Sequence, residues 1–264
     1  MGPTGAANNA PSTVMGTLLD GTDSDNPGPI DIGGQWDWGY ADGALSSPIK
    51  LSNYWLWKFH GTDDLYDAWV HVGTTGSLLA GEGYTQKGTF GGAGFDDYQN
   101  YVFRGKPRNG TISMPIITGY DRLIGNPYPS AMDADAFILD NISSSGGRGK
   151  KNTINGTLYY WDHFAGQTHI LADYVGGYAT YNLIGAAKAI STDYRINATG
   201  GSGTIIPERY IPVGQGFFIV FYEGGDVVIK NSQRAFVREG STTDNTGSVF
   251  LKPSASTKKS RTPG

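Results

Sequence analysis

The chain has 264 residues, a net charge of −4 and no cysteine. An acidic balance leaves no electrostatic footprint for nucleic acid, and the lack of thiols excludes disulfides and thiolate metal sites. No apolar run reaches the ~18 residues that a membrane span requires, so membrane insertion through a helix is not expected.

Glycine is abundant, at 40 residues, and the acids comprise 20 Asp but only four Glu. Asp favours turns and caps, whereas Glu favours helix interiors. The composition therefore predicts strands joined by many tight turns.

Taken along the chain, "DSDNPGPID" (23–31) reads as an irregular, ordered loop. In "DGTDSDN" (20–26) Asp20, Asp23 and Asp25, with Asn26, offer hard oxygen ligands of the kind calcium takes. The EF-hand spacing is not met, and Asx-turns explain the same residues without a metal. Asp63, Asp64 and Asp67, and Asp96 with Asp97, are weaker versions of that cluster. Trp36/Trp38 and Trp55/Trp57 are each two apart, so each pair is expected on one strand face. An exposed face would stack sugars; a buried one would be core, where large aromatics contribute heavily.

Period-two patterns follow. "YDAWVHV" (66–72) places Trp69 and His71 on one face, and "YQNYVFR" (98–104) places Tyr101 with Phe103. In "TISMPII" (111–117) Ile112, Met114 and Ile116 share a face. "GTLYYWDHF" (156–164) and "YATYNLI" (178–184) have strand composition. "FFIVFY" (217–222), apolar throughout, is expected to be a central strand covered on both sides. "EGGD" then "VVIK" predicts a hairpin. "NISSSGGRGKKNTING" (141–156), with Arg148, Lys150 and Lys151 at its tip, reads as a solvated mobile loop, and the tail from Gly240 reads as a linker or the start of a further strand.

"RLIGNPYPSAMDADAF" (122–137) is the most irregular stretch. Gly125 and Asn126 tolerate positive φ. Asn126 and Tyr128 each precede a proline, Pro127 and Pro129, and are pushed to extended geometry. The run is a stiff corner. Ser130 and Asp133 have the Ser-x-x-acid spacing of a capping box, so a short helical turn is predicted over 131–139. Asp133 and Asp135 fall in its first turn. Residues two apart on a helix do not face each other, so they are not a catalytic pair.

Several ordered motifs also carry a family resemblance: "GEGYTQKGT", "QNYVFRGKPRNGTI", "LIGNPYPSAMDADAFILDN", "GTLYYWDH", "GGYATYNL", "VGQGFF" and "NSQRAF". Spanning roughly Val14 to Arg234, the set resembles a β-rich region of large secreted surface proteins of Bacteroidota. Those proteins are often exported by type IX secretion and carry a C-terminal sorting domain. The resemblance implies an excerpt of a longer chain in which Met1 is not an initiator. It implies a secreted, cell-surface location and assigns no catalytic residue.

The remaining chemistry is sparse. His60, His71, His163 and His169 make no metal spacing. No G-x-S-x-G elbow occurs, and "GGRGKKN" lacks the earlier glycine and the Ser/Thr of a P-loop. A glycosidase would need two carboxylates about 5–10 Å apart; Glu82 and Glu208 are the first to inspect. Tyr98, Tyr101, Tyr159 and Tyr160 are open to either core or binding roles.

The expectation is an all-β fold, β-sandwich or jelly-roll-like, with one or two short helical turns. Residues 1–239 form a single domain and 240–264 a linker. The expected function is a non-enzymatic structural or adhesive module without a cofactor, calcium excepted. Its partners would be other domains of the same chain or other copies, assembled through strand edges. The alternatives are a carbohydrate-binding module using exposed Trp or Tyr and, behind it, a polysaccharide-degrading enzyme.

Overall fold

The computed structural model describes Met1, Ala7, Ser248 and residues 9–23, 25–33, 48–62, 65–87, 100–165, 175–191 and 201–237. Trp36, Trp38, Asp63, Asp64, Asp96, Asp97, Tyr98, His169 and the tail from Gly240, Ser248 apart, lie outside the described residues.

A single turn, α1 (Val14–Thr17), opens the chain and runs into β1 (Leu18–Asp20). Then come β2 (Gly28–Pro29), β3 (Asp31–Gly33), β4 (Lys50–Ser52), β5 (Trp57–Gly61), β6 (Trp69–His71) and β7 (Tyr101–Phe103). β8 (Ile112–Ile116), β9 (Asp121–Gly125) and β10 (Ala131–Asp133) lead to the longer helix, α2 (Ala134–Asn141). β11 (Ile154–Ala165), β12 (Val175–Asn182), β13 (Gly185–Ala187), β14 (Tyr210–Ile211), β15 (Gly216–Phe221), β16 (Gly225–Ile229) and β17 (Arg234–Ala235) complete the order.

The fold is all-β, with two short α-helices among the described residues. Its frame is a seven-stranded sheet, β13-β12-β11-β15-β9-β5-β6, every neighbouring pair antiparallel. One face packs on α2 and on the β8–β16 ladder. Ile112, Met114, Phe137, Ile138, Leu158, Phe217, Ile219, Val227 and Ile229 meet there in the main core. A smaller core gathers Val14, Leu18, Ile49, Leu51, Leu56 and Leu78 near the N-terminal strands. The alternation in "TISMPII" is realised: Ile112 and Met114 are buried, Ser113 and Pro115 exposed.

"FFIVFY" supplies the middle strand of the seven, as expected. Only its Phe217, Ile219 and Phe221 side is fully buried; Gly216, Phe218 and Val220 are half-covered. The predicted hairpin does not form. The N–H groups of Tyr222 and Glu223 donate to Thr153 O and Asn152 O at the entrance to β11. That tether carries the chain over β11, and β16 pairs with β8 in the other sheet.

The helix also begins later than predicted. Ala131–Asp133 are strand, pairing with both β14 and β17. The cap is Asp133, whose Oδ1 accepts from Asp135 N and Ala136 N at 3.0 and 3.3 Å. Ser130 is no cap; its Oγ accepts from Arg234 Nε. Strand pairing on both sides overrides the capping-box spacing.

At the corner, Asn126 Nδ2 donates to the carbonyls of Ser130, Ile211 and Pro212. Its Oδ1 accepts from Tyr128 N, and Tyr128 OH donates to Gly110 O at 2.7 Å. The loop after α2 is tied down rather than free. Arg148 Nε donates to Asp140 Oδ1 at 2.7 Å, and Asn152 Oδ1 accepts from Ser143 N and Ser144 N.

Candidate functional site

Directly paired residues of antiparallel strands project to the same face, so register sorts the seven-stranded sheet. Trp161 lies opposite Tyr178, Tyr159 opposite Phe218, Phe59 opposite Trp69 and Trp57 opposite His71. All of these belong to the face turned away from α2. Their rings touch in series. Trp161–Tyr178 centroids are 5.3 Å apart, Tyr178–Phe218 5.6 Å, Phe218–Phe59 5.7 Å and Phe59–Trp69 4.8 Å. Trp57 and His71, 4.8 Å apart, extend the rank to the β5–β6 edge.

The contacts are edge-to-face or tilted, each stabilising by about 0.5–1.5 kcal/mol beyond burial. Trp161 lies so close to Gly176 that a Cβ there would come within 2.6 Å of the indole. Any side chain at 176 would displace the ring. Phe59 is buried, Trp57, Trp69, Trp161 and Phe218 are half-buried, and Tyr178 is 37% exposed.

The Trp55/Trp57 pair does not share a strand. Ser52 Oγ accepts from Tyr54 N and opens a 3-10 turn over Asn53–Trp55. Leu56, fully buried, follows it. Only Trp57 joins the rank, with its indole N–H donating to Tyr54 O. Trp55 lies beneath Lys87, whose Nζ is 4.0 Å from the ring centroid, so an ammonium already sits over that indole.

The opposite face, beneath β5 and β9, carries a buried charge network. Arg122 Nη2 meets Glu82 Oε1 at 2.8 Å, and Lys58 Nζ meets Oε2 at 3.2 Å. Oε2 also accepts from Leu79 N at 2.7 Å. Burial opposes ionisation of Glu82, but the Leu79 N–H and the two cations outweigh it and hold the carboxyl below its usual range. His60, paired with Arg122 across the strands, has its Nε2 buried without a hydrogen-bond partner. Burial and then the Arg122 charge depress its pKa, with Glu82 acting in the other direction. Glu82 therefore braces the sheet. It bridges to Ile124 in β9, whereas Glu208 precedes β14 in a different sheet.

In the 20–26 loop both Asp20 carboxylate oxygens and one of Asp23 are engaged by backbone. Asp20 accepts from Thr22 N and Ile49 N, both at 2.8 Å, and Asp23 Oδ1 accepts from Asp25 N. Among the described residues no group of three His, Cys, Asp or Glu side chains is placed to hold a metal. His71 Nε2 lies 2.8 Å from Asn53 O.

Two groups escaped the sequence reading. One is the rank itself, because its members come from five strands whose order no local pattern reveals. The other is Asp162, 2% exposed with neither carboxyl oxygen hydrogen-bonded. A signal for it existed: it occupies the apolar phase of Leu158, Tyr160 and Phe164.

This geometry defines an all-β sheet domain with an aromatic outer face. Over residues 40–262 the chain matches the model of a family described as a domain of unknown function, DUF8693, and it belongs to that family. No curated protein and no solved structure matches it.

Proposed function

We propose that the chain is a non-enzymatic adhesive module of a secreted, cell-surface protein, making its contacts through the aromatic face of the seven-stranded sheet. The observation that carries this reading is the rank of rings from Trp161 to Trp57, most of them half-buried and Tyr178 exposed. Aromatic residues are the side chains most enriched at protein contact surfaces. The sheet edges serve this role less well. β13 and β6 have three residues each, and short edge strands are a device that limits edge pairing. The ionisable groups support a scaffold: Glu82, Asp133 and Asp140 are each engaged by cations.

The partner is a neighbouring module of the same long chain or another copy. Sedimentation velocity over a wide concentration range, comparing native chain with Tyr178→Ser, tests it. The expected result is self-association that the substitution weakens at least tenfold. A monomer at all concentrations, joined by Tyr178-dependent binding on a glycan array, would instead establish the carbohydrate-binding alternative. Hydrolysis of a polysaccharide would establish the enzyme.

A further inference from the structure

At the β11–β12 end of the main core the chain folds back over the sheet. Residues 189–191 and 201–203 form a short ladder, with Ser191 N donating to Gly201 O at 2.8 Å and Gly203 N to Ala189 O at 2.9 Å. Gly177 lies against this ladder; a Cβ there would come within 2.5 Å of Ile190 O. Asp162, opposite Gly177 in the register, points into the space the ladder roofs. A Cβ on Gly203 would lie 2.1 Å from Asp162 Oδ2. The carboxyl is thus sealed by the ladder, with no hydrogen bond to either oxygen.

An ionised carboxylate in such a place is strongly disfavoured, whereas a neutral carboxylic acid is tolerated. We propose that Asp162 is a proton-operated latch: protonated, it lets the 189–191/201–203 ladder close over the core, and ionised, it drives the ladder open to admit water. Among the described residues no cation is hydrogen-bonded or ion-paired to it. On the same face of the sheet its neighbours are Tyr160 and Phe164 of β11 and Gly177 and Ala179 of β12, and Gly203 of the ladder stands against its Oδ2. Lys188, just before the ladder, is exposed. Tyr160 OH is itself buried without a partner, and Tyr181 OH donates to Asp135. Burial alone pushes the Asp162 carboxyl up to about 6 from 3.8, so the latch works across the acidic range between those two values.

The sign follows from linkage. The closed form holds the proton more tightly than the open form, so closure is fully favoured below 3.8 and lost as pH rises through about 6. The test is amide hydrogen exchange of Ser191 and Gly203 in the full chain from pH 4 to 8, corrected for intrinsic rates, with Phe218 in β15 as internal reference. The opening constant at the ladder is expected to rise up to about 100-fold, two pKa units' worth, while Phe218 changes less. Asp162→Asn is expected to abolish the rise and stay at the low-pH level. A flat profile in the native chain, or a rise that persists in Asp162→Asn, overturns the proposal. Should that variant not fold, carbon-13 titration of the native Asp162 carboxyl decides: a midpoint near 6 supports the latch, and one near 3.8 overturns it.

Discussion

Two buried aspartates of the same core have opposite surroundings. Asp140, at the end of α2, accepts from Arg148 Nε at 2.7 Å and from Gln233 Nε2 at 3.0 Å, with Lys230 Nζ at 3.5 Å. Burial opposes its charge, but Arg148, Gln233 and Lys230 outweigh burial and hold the carboxyl below its usual range. Asp162 has none of this. Equal burial therefore does not mean equal effect. Around Asp140 the polar groups complete one another and fix α2 to β16; around Asp162 one group left incomplete makes its end of the sheet conditional on pH.

The largest expected effect tests the complete side. Asn141 is 1% exposed. Its amide donates to Phe137 O and Val228 O and accepts from Val228 N, at 2.9, 2.9 and 2.8 Å. It acts as a strand partner supplied by a helix. Asn141→Ala orphans the Val228 N–H and leaves Val228 O only the 3.3 Å hydrogen bond from Gln233 Nε2; it should destabilise by about 3 kcal/mol, since a lost buried bond leaves a desolvated group behind. Urea melts measure it. A loss below about 1 kcal/mol would show that water replaces the amide and that the Asp140 side is no tighter than the Asp162 side.

Asp162→Asn should act with the opposite sign. Its folded-state value near 6 against 3.8 corresponds to about 3 kcal/mol at full ionisation. The variant should be about 2–3 kcal/mol more stable than the native chain at pH 8, with the difference vanishing at pH 4. Thermal unfolding across that range checks this. Equal gains at both ends would mean that packing, not charge, distinguishes the two aspartates.

Glu82 lies between the extremes, buried but paired. Glu82→Gln keeps the shape and removes the charge that Arg122 and Lys58 engage, which should destabilise by about 2 kcal/mol at pH 7, in the range for hydrogen bonds to charged groups. Because the folded carboxyl is held below 4.5, its contribution is present above that value and fades as pH falls through the folded one. The gap between native and variant should therefore close in acid. His60 adds to acid sensitivity, because the unfolded imidazole takes a proton near 6.5 more readily than the folded one does. A gap that stays constant to pH 3 would place Glu82 outside the ion network.

Local periodicity revealed much of the framework. Ile112 and Met114 were placed on the correct face because alternation is a property of the strand alone. The middle position of "FFIVFY" was legible for a different reason, a run apolar in both phases. Pairing was not legible. Residues 223–226 look like a hairpin turn, yet the N–H groups of Tyr222 and Glu223 are taken by residues 153 and 152, some 70 positions away. The helix start failed similarly: Ser130 has a good local spacing, but residues 131–133 are claimed by β14 and β17. The aromatic rank shows the limit most clearly. Each ring sits in a readable strand, but their contact depends on the order β12-β11-β15-β9-β5-β6.

The smallest effect belongs to the exposed counterpart of these buried carboxylates. Asp133 engages Arg209 through both oxygens, Nε to Oδ1 at 3.0 Å and Nη2 to Oδ2 at 2.7 Å, while the arginine side chain is half exposed. Paired geometry favours the contact, but solvent on one side screens it and the side chain gives up rotamer freedom to make it. Arg209→Met should destabilise by no more than about 1 kcal/mol, less in 1 M salt, where the screening length falls to about 3 Å. Asp133 retains its second role, capping α2, in either case. A loss of 3 kcal/mol that salt does not diminish would mean that the pair is as enclosed as Asp140. The contrast between complete and incomplete polar surroundings would then extend to the surface of the molecule.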